Sequence, residues 1–211
     1  MAEAARIEQL RVGADPANWT ALGFTVAEGE LTLGATPVCL RGADDPAATV
    51  EWSLSGVDGP LDELPTVQVQ PSGAPSAAAE HPNGALAIDH VVVFTPDLER
   101  TIGAFESAGV RCRRVREVGP AEQPLRQAFF RFAEVIVEVV QVPSEQAGPD
   151  RAARFWGLTL TVADLEGMVA ELGDRCGTIR DAVQAGRRIA TVRREAGLGL
   201  PIALISPQPP C

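Results

Sequence analysis

Apolar residues along this chain come in short runs separated by Gly, Pro, Asp and Asn. That spacing predicts many strands and few helices. Ahead of residue 70, the runs Ile7–Val12, Leu31–Leu33, Val38–Leu40, Val50–Leu54 and Val67–Val69 predict strands. A short helix is predicted to open at Asp15-Pro16, with aspartate as cap and proline in the first turn, and to end at Gly23. From Gln70 to Gly84 the chain reads QPSGAPSAAAEHPNG, with no hydrophobic period. This stretch is predicted to be a linker that closes in a Pro-Asn-Gly turn, at which His81 is a turn residue.

Beyond the linker the pattern sharpens. Ala87–Phe94 reads as a buried strand, and Thr95-Pro96-Asp97 starts a helix whose inner face is expected to carry Leu98, Ile102 and Phe105. Gly109 takes the stop position. Strands are predicted over Val110–Val115, Leu125–Phe132 and Val135–Val142. The same order then recurs. Leu158–Val162 is a strand, and Asp164-Leu165-Glu166 opens a helix with Leu165, Val169 and Leu172 inward. Gly173 ends that helix, and Arg188–Val192 and Pro201–Ile205 follow as strands. Asp-Leu-Glu occurs at 97–99 and again at 164–166, so the second half repeats a strand, a helix and further strands. The segment before the linker has a fainter form of the same order and is a candidate third, degenerate copy. The chain therefore divides into a β-rich segment (1–70), a linker (71–84) and a repeated domain (85–211, modules about 85–150 and 151–211).

Composition narrows the chemistry. With 45% hydrophobic and 22% charged residues and a mean hydropathy of +0.06, the chain has enough apolar material for a core. All 18 basic residues are arginine, and there is neither lysine nor tyrosine. Schiff-base lysine, phosphate-loop lysine and tyrosine acid chemistry are thereby excluded. The 2 histidines, His81 and His90, exclude a three-histidine metal centre within one chain. The net charge of −10 argues against a nucleic-acid partner. The acidity is concentrated in residues 1–84, with 3 Arg against 12 Asp+Glu. No apolar run approaches the roughly 18 residues of a membrane span, and the first residues lack a signal pattern, so a cytoplasmic protein is expected. The 4 cysteines, Cys39, Cys112, Cys176 and Cys211, are scattered and fit reduced thiols.

His90 and Glu138 do not fit a purely structural role. His90 lies within IDHVVVF, and Glu138 interrupts VIVEVVQV, where every neighbour but one wants burial. A buried carboxylate needs a partner, a metal, a wet cavity or a proton. If Ala133-Glu134 is a two-residue turn, Phe132 faces Val135, Arg131 faces Ile136, Phe129 faces Glu138 and Gln127 faces Val140. Directly opposed residues share a face, so one side of the sheet carries Gln127, Phe129, Arg131 and Glu138.

The segments IDHVVVFTPDLERTIGAFESAGV and RQAFFRFAEVIVEVVQVP resemble a module of the vicinal oxygen chelate superfamily, which includes glyoxalase I, extradiol dioxygenases and bleomycin-resistance proteins. The resemblance covers 85–211 and implies an α+β fold in which paired βαβββ modules form a cup-shaped mixed sheet. In metal-dependent members, the first strand of a module gives a histidine and the last a glutamate. Those positions correspond here to His90 and Glu138. The second module departs from the pattern, with Gly157 where a histidine would stand and Ala203 where a glutamate would stand. One chain then offers two ligands where the family uses three or four.

Three readings follow. The first is a metal-free cup that binds a small polar organic molecule, lined by Gln127, Phe129 and Arg131, with Trp156 near the mouth. The second is a lyase or isomerase with Glu138 as general base and His90 as its hydrogen-bond partner or oxyanion holder. The third is a divalent metal ion held by His90 and Glu138 from two chains of a homodimer. A homodimer is expected in any case, because an odd module count leaves an open edge. Asp97 and Asp164 are read as helix-start acids, and Glu99 and Glu166 as solvated first-turn charges. The cluster Arg111, Arg113, Arg114 and Arg116 is expected to pair with the acidic N-terminal segment, with the clamping of an anionic ligand as the alternative. Arg187-Arg188 and Arg193-Arg194 raise the question of an anionic ligand, and Gly197-Leu-Gly-Leu200 reads as a turn.

Overall fold

Aspartates set the helix starts. Asp15, Asp97 and Asp164 each accept a backbone N–H through a carboxylate oxygen, from Ala17, Arg100 and Gly167 respectively. These bonds satisfy donors that the first helical turn cannot use itself. The helices they open are α1 (Pro16–Thr20), α2 (Leu98–Ser107) and α3 (Leu165–Leu172). The computed structural model describes residues 4–42, 50–72, 79–119, 124–143 and 152–209. Cys211 and part of the linker lie outside these.

The strands are β1 (Arg6–Val12), β2 (Glu30–Leu33), β3 (Thr36–Leu40), β4 (Glu51–Ser55), β5 (Thr66–Gln68), β6 (Ala85–Thr95), β7 (Cys112–Val118), β8 (Leu125–Phe132), β9 (Val135–Gln141), β10 (Arg154–Val162), β11 (Arg180–Asp181), β12 (Arg188–Thr191) and β13 (Ile202–Ile205). The class is α+β, with βαβββ connectivity in each repeat of the C-terminal half. Two strands lie beyond the expected pattern. β10 begins four residues early, at Arg154, and the two-residue β11 carries no hydrophobic run by which to recognise it.

The chain forms two compact units. One comprises Met1–Glu8, Glu51–Gly73 and His90–Trp156; the other comprises Gln9–Val50, Ala74–Asp89 and Gly157–Cys211. The expected segments 1–70 and 85–211 therefore each contribute to both units.

In the first unit, β6 runs parallel to β9, β9 antiparallel to β8, and β8 antiparallel to β7. Strand alternation sends Val91, Val93, Val137 and Val139 to the helix side, all fully buried. Leu98 and Phe105 of α2 cover that side, and the Phe105 ring sits 4.4 Å from Phe130. Burying a side chain of that size contributes roughly 2–3 kcal/mol. Thr101, not Ile102, completes the inner face of α2. Its hydroxyl bonds to Asp62 Oδ2 at 2.5 Å and to Thr95 Oγ1 at 2.8 Å, which removes the desolvation cost of a buried polar group. In the same unit β4 pairs parallel with β5, and Trp52 donates through Nε1 to Thr66 Oγ1 at 2.7 Å.

The second unit repeats the scheme. β10 runs parallel to β13, with β12 and then β11 beyond it, each antiparallel to its neighbour. α3 buries Leu165, Met168 and Leu172, so Met168 replaces the expected Val169. β1 lies parallel to β3, and β2 is antiparallel to β3, giving strand–helix–strand–strand with first and last strands adjacent. The linker's end is built into this unit. His81 is 7% exposed, accepts from Thr25 N through Nδ1 at 3.1 Å, and places Nε2 2.9 Å from Thr32 O. A buried pair, Arg187 Nη1 to Asp89 Oδ1 at 2.6 Å, is completed by Ser206 O and Thr161 Oγ1.

Candidate functional site

The two-residue turn at Ala133-Glu134 determines the register of β8 and β9. Ala133 has a φ of 48°, in the left-handed region that lets so short a connection close. The pairs are Phe132 with Val135, Arg131 with Ile136, Phe129 with Glu138 and Gln127 with Val140, the pairing expected from the sequence. In the parallel β6–β9 ladder His90 pairs with Ile136 and Val92 with Glu138, so His90 and Glu138 are diagonal neighbours on one face. That face is the one opposite α2.

A polar row crosses this face over four strands. His90 Nε2 on β6 lies 3.4 Å from Glu138 Oε2 on β9. Gln127 Nε2 on β8 donates to the other oxygen, Glu138 Oε1. Arg116 on β7 donates through Nε, at 3.0 Å, and Nη2 to Gln127 Oε1. The amide is oriented by its neighbours, with its oxygen toward the guanidinium and its NH₂ toward the carboxylate. Arg116 also lies over the Phe129 ring, 5.2 Å from the centroid. The side chains of His90 and Glu138 are 12% and 14% exposed, so the row is accessible without being solvated.

Arg116 was expected to pair with the acidic N-terminal segment, and its place in the row corrects that expectation. The cause is an irregularity in β7 between Cys112 and Arg114. Cys112 pairs with Phe130 but Arg114 with Phe129, so one extra residue shifts the phase. The bulge turns Arg114 and Arg116 onto the face of Glu138. The sequence signal available was the four-residue run Arg111-Cys112-Arg113-Arg114, whose three arginines are too irregularly spaced for plain alternation.

Other expected residues have different surroundings. Arg131 shares the face by register, but its guanidinium folds back onto the turn. Nε donates to Ala133 O at 2.8 Å and Nη2 lies 3.8 Å from Glu134, away from the row. Trp156 stacks on Phe94 at 5.0 Å with 17° between planes, and Arg154 lies 5.4 Å from the same Phe94 ring. Phe94 packs against Val92, Val140 and Val142, the apolar part of the same face. Glu99 and Glu166 pair with Arg126 and Arg188 on the surface. A cleft of ≈ 800 Å³ lies in the second unit and is lined by none of His90, Gln127 or Glu138.

The second module shows why it lacks the ligand pair. Thr159 pairs with Ala203 as Val92 pairs with Glu138, which puts Ala203 at the register of the glutamate. At Gly157, a Cβ would lie 2.5 Å from Pro201 O, so no side chain fits. Among the described residues, no three of His, Cys, Asp or Glu come together. Two ligands are short of the roughly four to six positions a divalent ion fills. Both Glu138 oxygens, moreover, face protein partners. The described residues of one chain do not fit a metal centre.

No family model matches the chain, and no curated protein matches it. Solved structures do. A triply substituted 4-hydroxymandelate synthase from Streptomyces coelicolor superposes with a TM-score of 0.63 at 14% identity, over 99% of this chain and 94% of that one. Methylmalonyl-CoA epimerase from Mycobacterium tuberculosis gives 0.47 at 23% identity, over 60% of this chain and 91% of that one. A Streptomyces coelicolor methylmalonyl-CoA epimerase gives 0.46 at 15%, over 58% and 97%. At 14% identity, the likeness to the 4-hydroxymandelate synthase shows the fold alone. The chain has the glyoxalase-like fold of the vicinal oxygen chelate superfamily.

Proposed function

We propose that this protein binds a small polar organic molecule on the His90–Glu138 face of the first unit. Gln127 and Phe129 contact the ligand, Trp156 flanks it, and Arg131 stands outside. One observation carries the reading: a continuous row of His90, Glu138, Gln127 and Arg116 crosses a face that also carries an apolar patch of Val92, Val140 and Val142. A few convergent polar groups on an apolar wall are what orient a small ligand. At 3.4 Å, the His90–Glu138 separation exceeds a full-strength hydrogen bond, so a ligand hydroxyl can donate to Glu138 and a ligand carbonyl can accept from His90. Amide spectra titrated with pyruvate, as a small polar carbonyl compound, test this. Shifts confined to residues around His90, Gln127 and Glu138 are expected. Binding that is unchanged in a His90→Ala, Glu138→Ala double variant overturns the proposal.

A second reading rests on the asymmetry of Glu138. Oε1 is held by Gln127, whereas among the described residues Oε2 has the longer contact to His90 alone and is the oxygen placed to take a proton. On this reading the protein is a lyase or isomerase that removes a proton next to a carbonyl, with His90 holding the oxygen that gains charge. Uptake of deuterium from D₂O into pyruvate distinguishes the readings. Glu138→Gln keeps affinity and abolishes uptake if Glu138 is the base.

The N-terminal segment is read as a degenerate module, and the protein as a cytoplasmic homodimer. The terminal position of β7 in its sheet supports the dimer. Light scattering at high concentration checks it, and a clean monomer removes it. Among the described residues, no helix is long and apolar enough to cross a membrane.

A further inference from the structure

The second unit contains chemistry that the His90–Glu138 reading leaves unused. After β12 the chain reads Val192-Arg193-Arg194-Glu195-Ala196-Gly197-Leu198-Gly199-Leu200-Pro201 and then enters β13. This segment, with Gly13, Ala14 and Asn18 at the start of α1, bounds the cleft of ≈ 800 Å³. That volume lies within the roughly 300–1,000 Å³ of small-molecule sites.

The cleft wall is held in place. Asn18 Nδ2 donates to Gly197 O at 3.0 Å, and a Cβ on Gly197 would meet that same nitrogen at 2.5 Å. Gly199 has a φ of +81°, and a Cβ there would collide with Gly13 O and lie 2.9 Å from the Ala14 Cβ. Glycine at both positions lets the loop press against the start of α1. The wall is therefore preformed, which lowers the ordering cost of binding. Ala14, Val192, Leu198 and Ile202 are buried and give the cleft an apolar floor.

Charge at the rim selects the ligand. Arg193 and Arg194 are exposed, and among the described residues neither guanidinium has a carboxylate partner. Arg187 and Arg188 of the same unit, by contrast, are paired with Asp89 and Glu166. Glu195, also exposed, is the third charged residue of the lining and leaves the rim with one net positive charge. One net charge suits a monoanion, and the Glu195 carboxylate repels polyanions such as di- or triphosphates. The planar guanidinium fork matches a carboxylate.

We infer that this cleft is a second ligand site, for a small organic monocarboxylate whose aliphatic or aromatic body rests on the Val192–Leu198–Ile202 floor while Arg193 and Arg194 hold its carboxylate. The site is independent of the His90–Glu138 row. Benzoate is the probe, followed by amide shifts on the full-length chain. Saturable shifts at Ala14, Asn18 and Gly197–Ile202 are expected. An Arg193→Ala, Arg194→Ala double variant, folded by circular dichroism because both residues are exposed, weakens benzoate by about tenfold or more, and Glu195→Gln tightens it. Benzyl alcohol, which keeps the ring without the charge, and inorganic phosphate, which keeps the charge without the ring, each bind at least about tenfold more weakly than benzoate. The inference falls if benzoate does not bind or shifts residues elsewhere. It falls equally if the double variant binds benzoate undiminished, or if phosphate binds as well as benzoate.

Discussion

Replacing Gln127 by leucine tests whether the polar row is a coupled network. Gln127 is 7% exposed, and leucine is of similar volume, so the change leaves no sizeable cavity. It removes the donor to Glu138 Oε1 and the acceptor of Arg116. A hydrogen bond to a charged group contributes about 1.5–3 kcal/mol, and an orphaned buried acceptor costs a similar amount. Arg116 is half-buried and can turn toward water, so its loss is the smaller share. Glu138, 14% exposed, keeps among the described residues only His90 at 3.4 Å and carries most of the penalty.

The expected destabilisation is about 1.5–3 kcal/mol, and at ~2–4 °C per kcal/mol for a chain of this size Tm falls by about 3–12 °C. Urea unfolding followed by tryptophan fluorescence measures the free energy directly. A Gln127→Leu, Glu138→Leu double variant removes the orphaned carboxylate along with its partner. It is expected to recover at least ~1 kcal/mol relative to the sum of the single changes. A single-variant loss below about 0.5 kcal/mol, or strict additivity in the double variant, would refute the network.

Other expectations follow from individual contacts. Gly157→Val forces a Cβ against Pro201 O, which is backbone and cannot rotate away; a loss of about 1–3 kcal/mol in the same unfolding assay is expected, and an unchanged midpoint contradicts the contact. For Glu8, burial pushes the carboxyl up, but hydrogen bonds from Ser55 and Ser72 outweigh it and hold the group below the ordinary glutamate value. A carboxyl depressed in the folded state adds stability above its unfolded pKa, about 4.3, and that increment disappears as pH falls through the folded value. The parent protein is therefore expected to lose more stability than Glu8→Gln between about pH 6 and about pH 3; equal losses would remove Glu8 as the source. After loading with Zn²⁺ or Mn²⁺ and desalting, metal analysis is expected to find far less than one ion per two chains. A value near one ion per two chains would reinstate a centre shared between copies of His90 and Glu138.

What the sequence determines by itself is local. The aspartate caps at 97 and 164 begin helices because their carboxylates satisfy backbone donors within three residues. The Ala133-Glu134 turn sets the register of β8 on β9 by counting alone, so Glu138 opposite Phe129 was legible before any coordinates. The repeat placed Gly157 and Ala203 at the positions of His90 and Glu138, and the β10–β13 register agrees. Each of these is governed by sterics and hydrogen bonds between near neighbours in the chain.

Tertiary structure decided the rest. Thr101 takes the inner place on α2 because its hydroxyl meets Asp62, a residue far away in sequence, and no helical periodicity contains that contact. Arg116 joins the row only because a bulge in β7 reverses the phase of its side chains, whereas Arg131, on the right face by register, is drawn back by the Ala133 carbonyl. Gly157 is required by the approach of Pro201, which the chain reaches only after α3 and two further strands. The interleaving of distant segments in two units has the same origin. Strand pairing joins residues far apart in the chain, and the end point of a long side chain depends on which strand lies beside it.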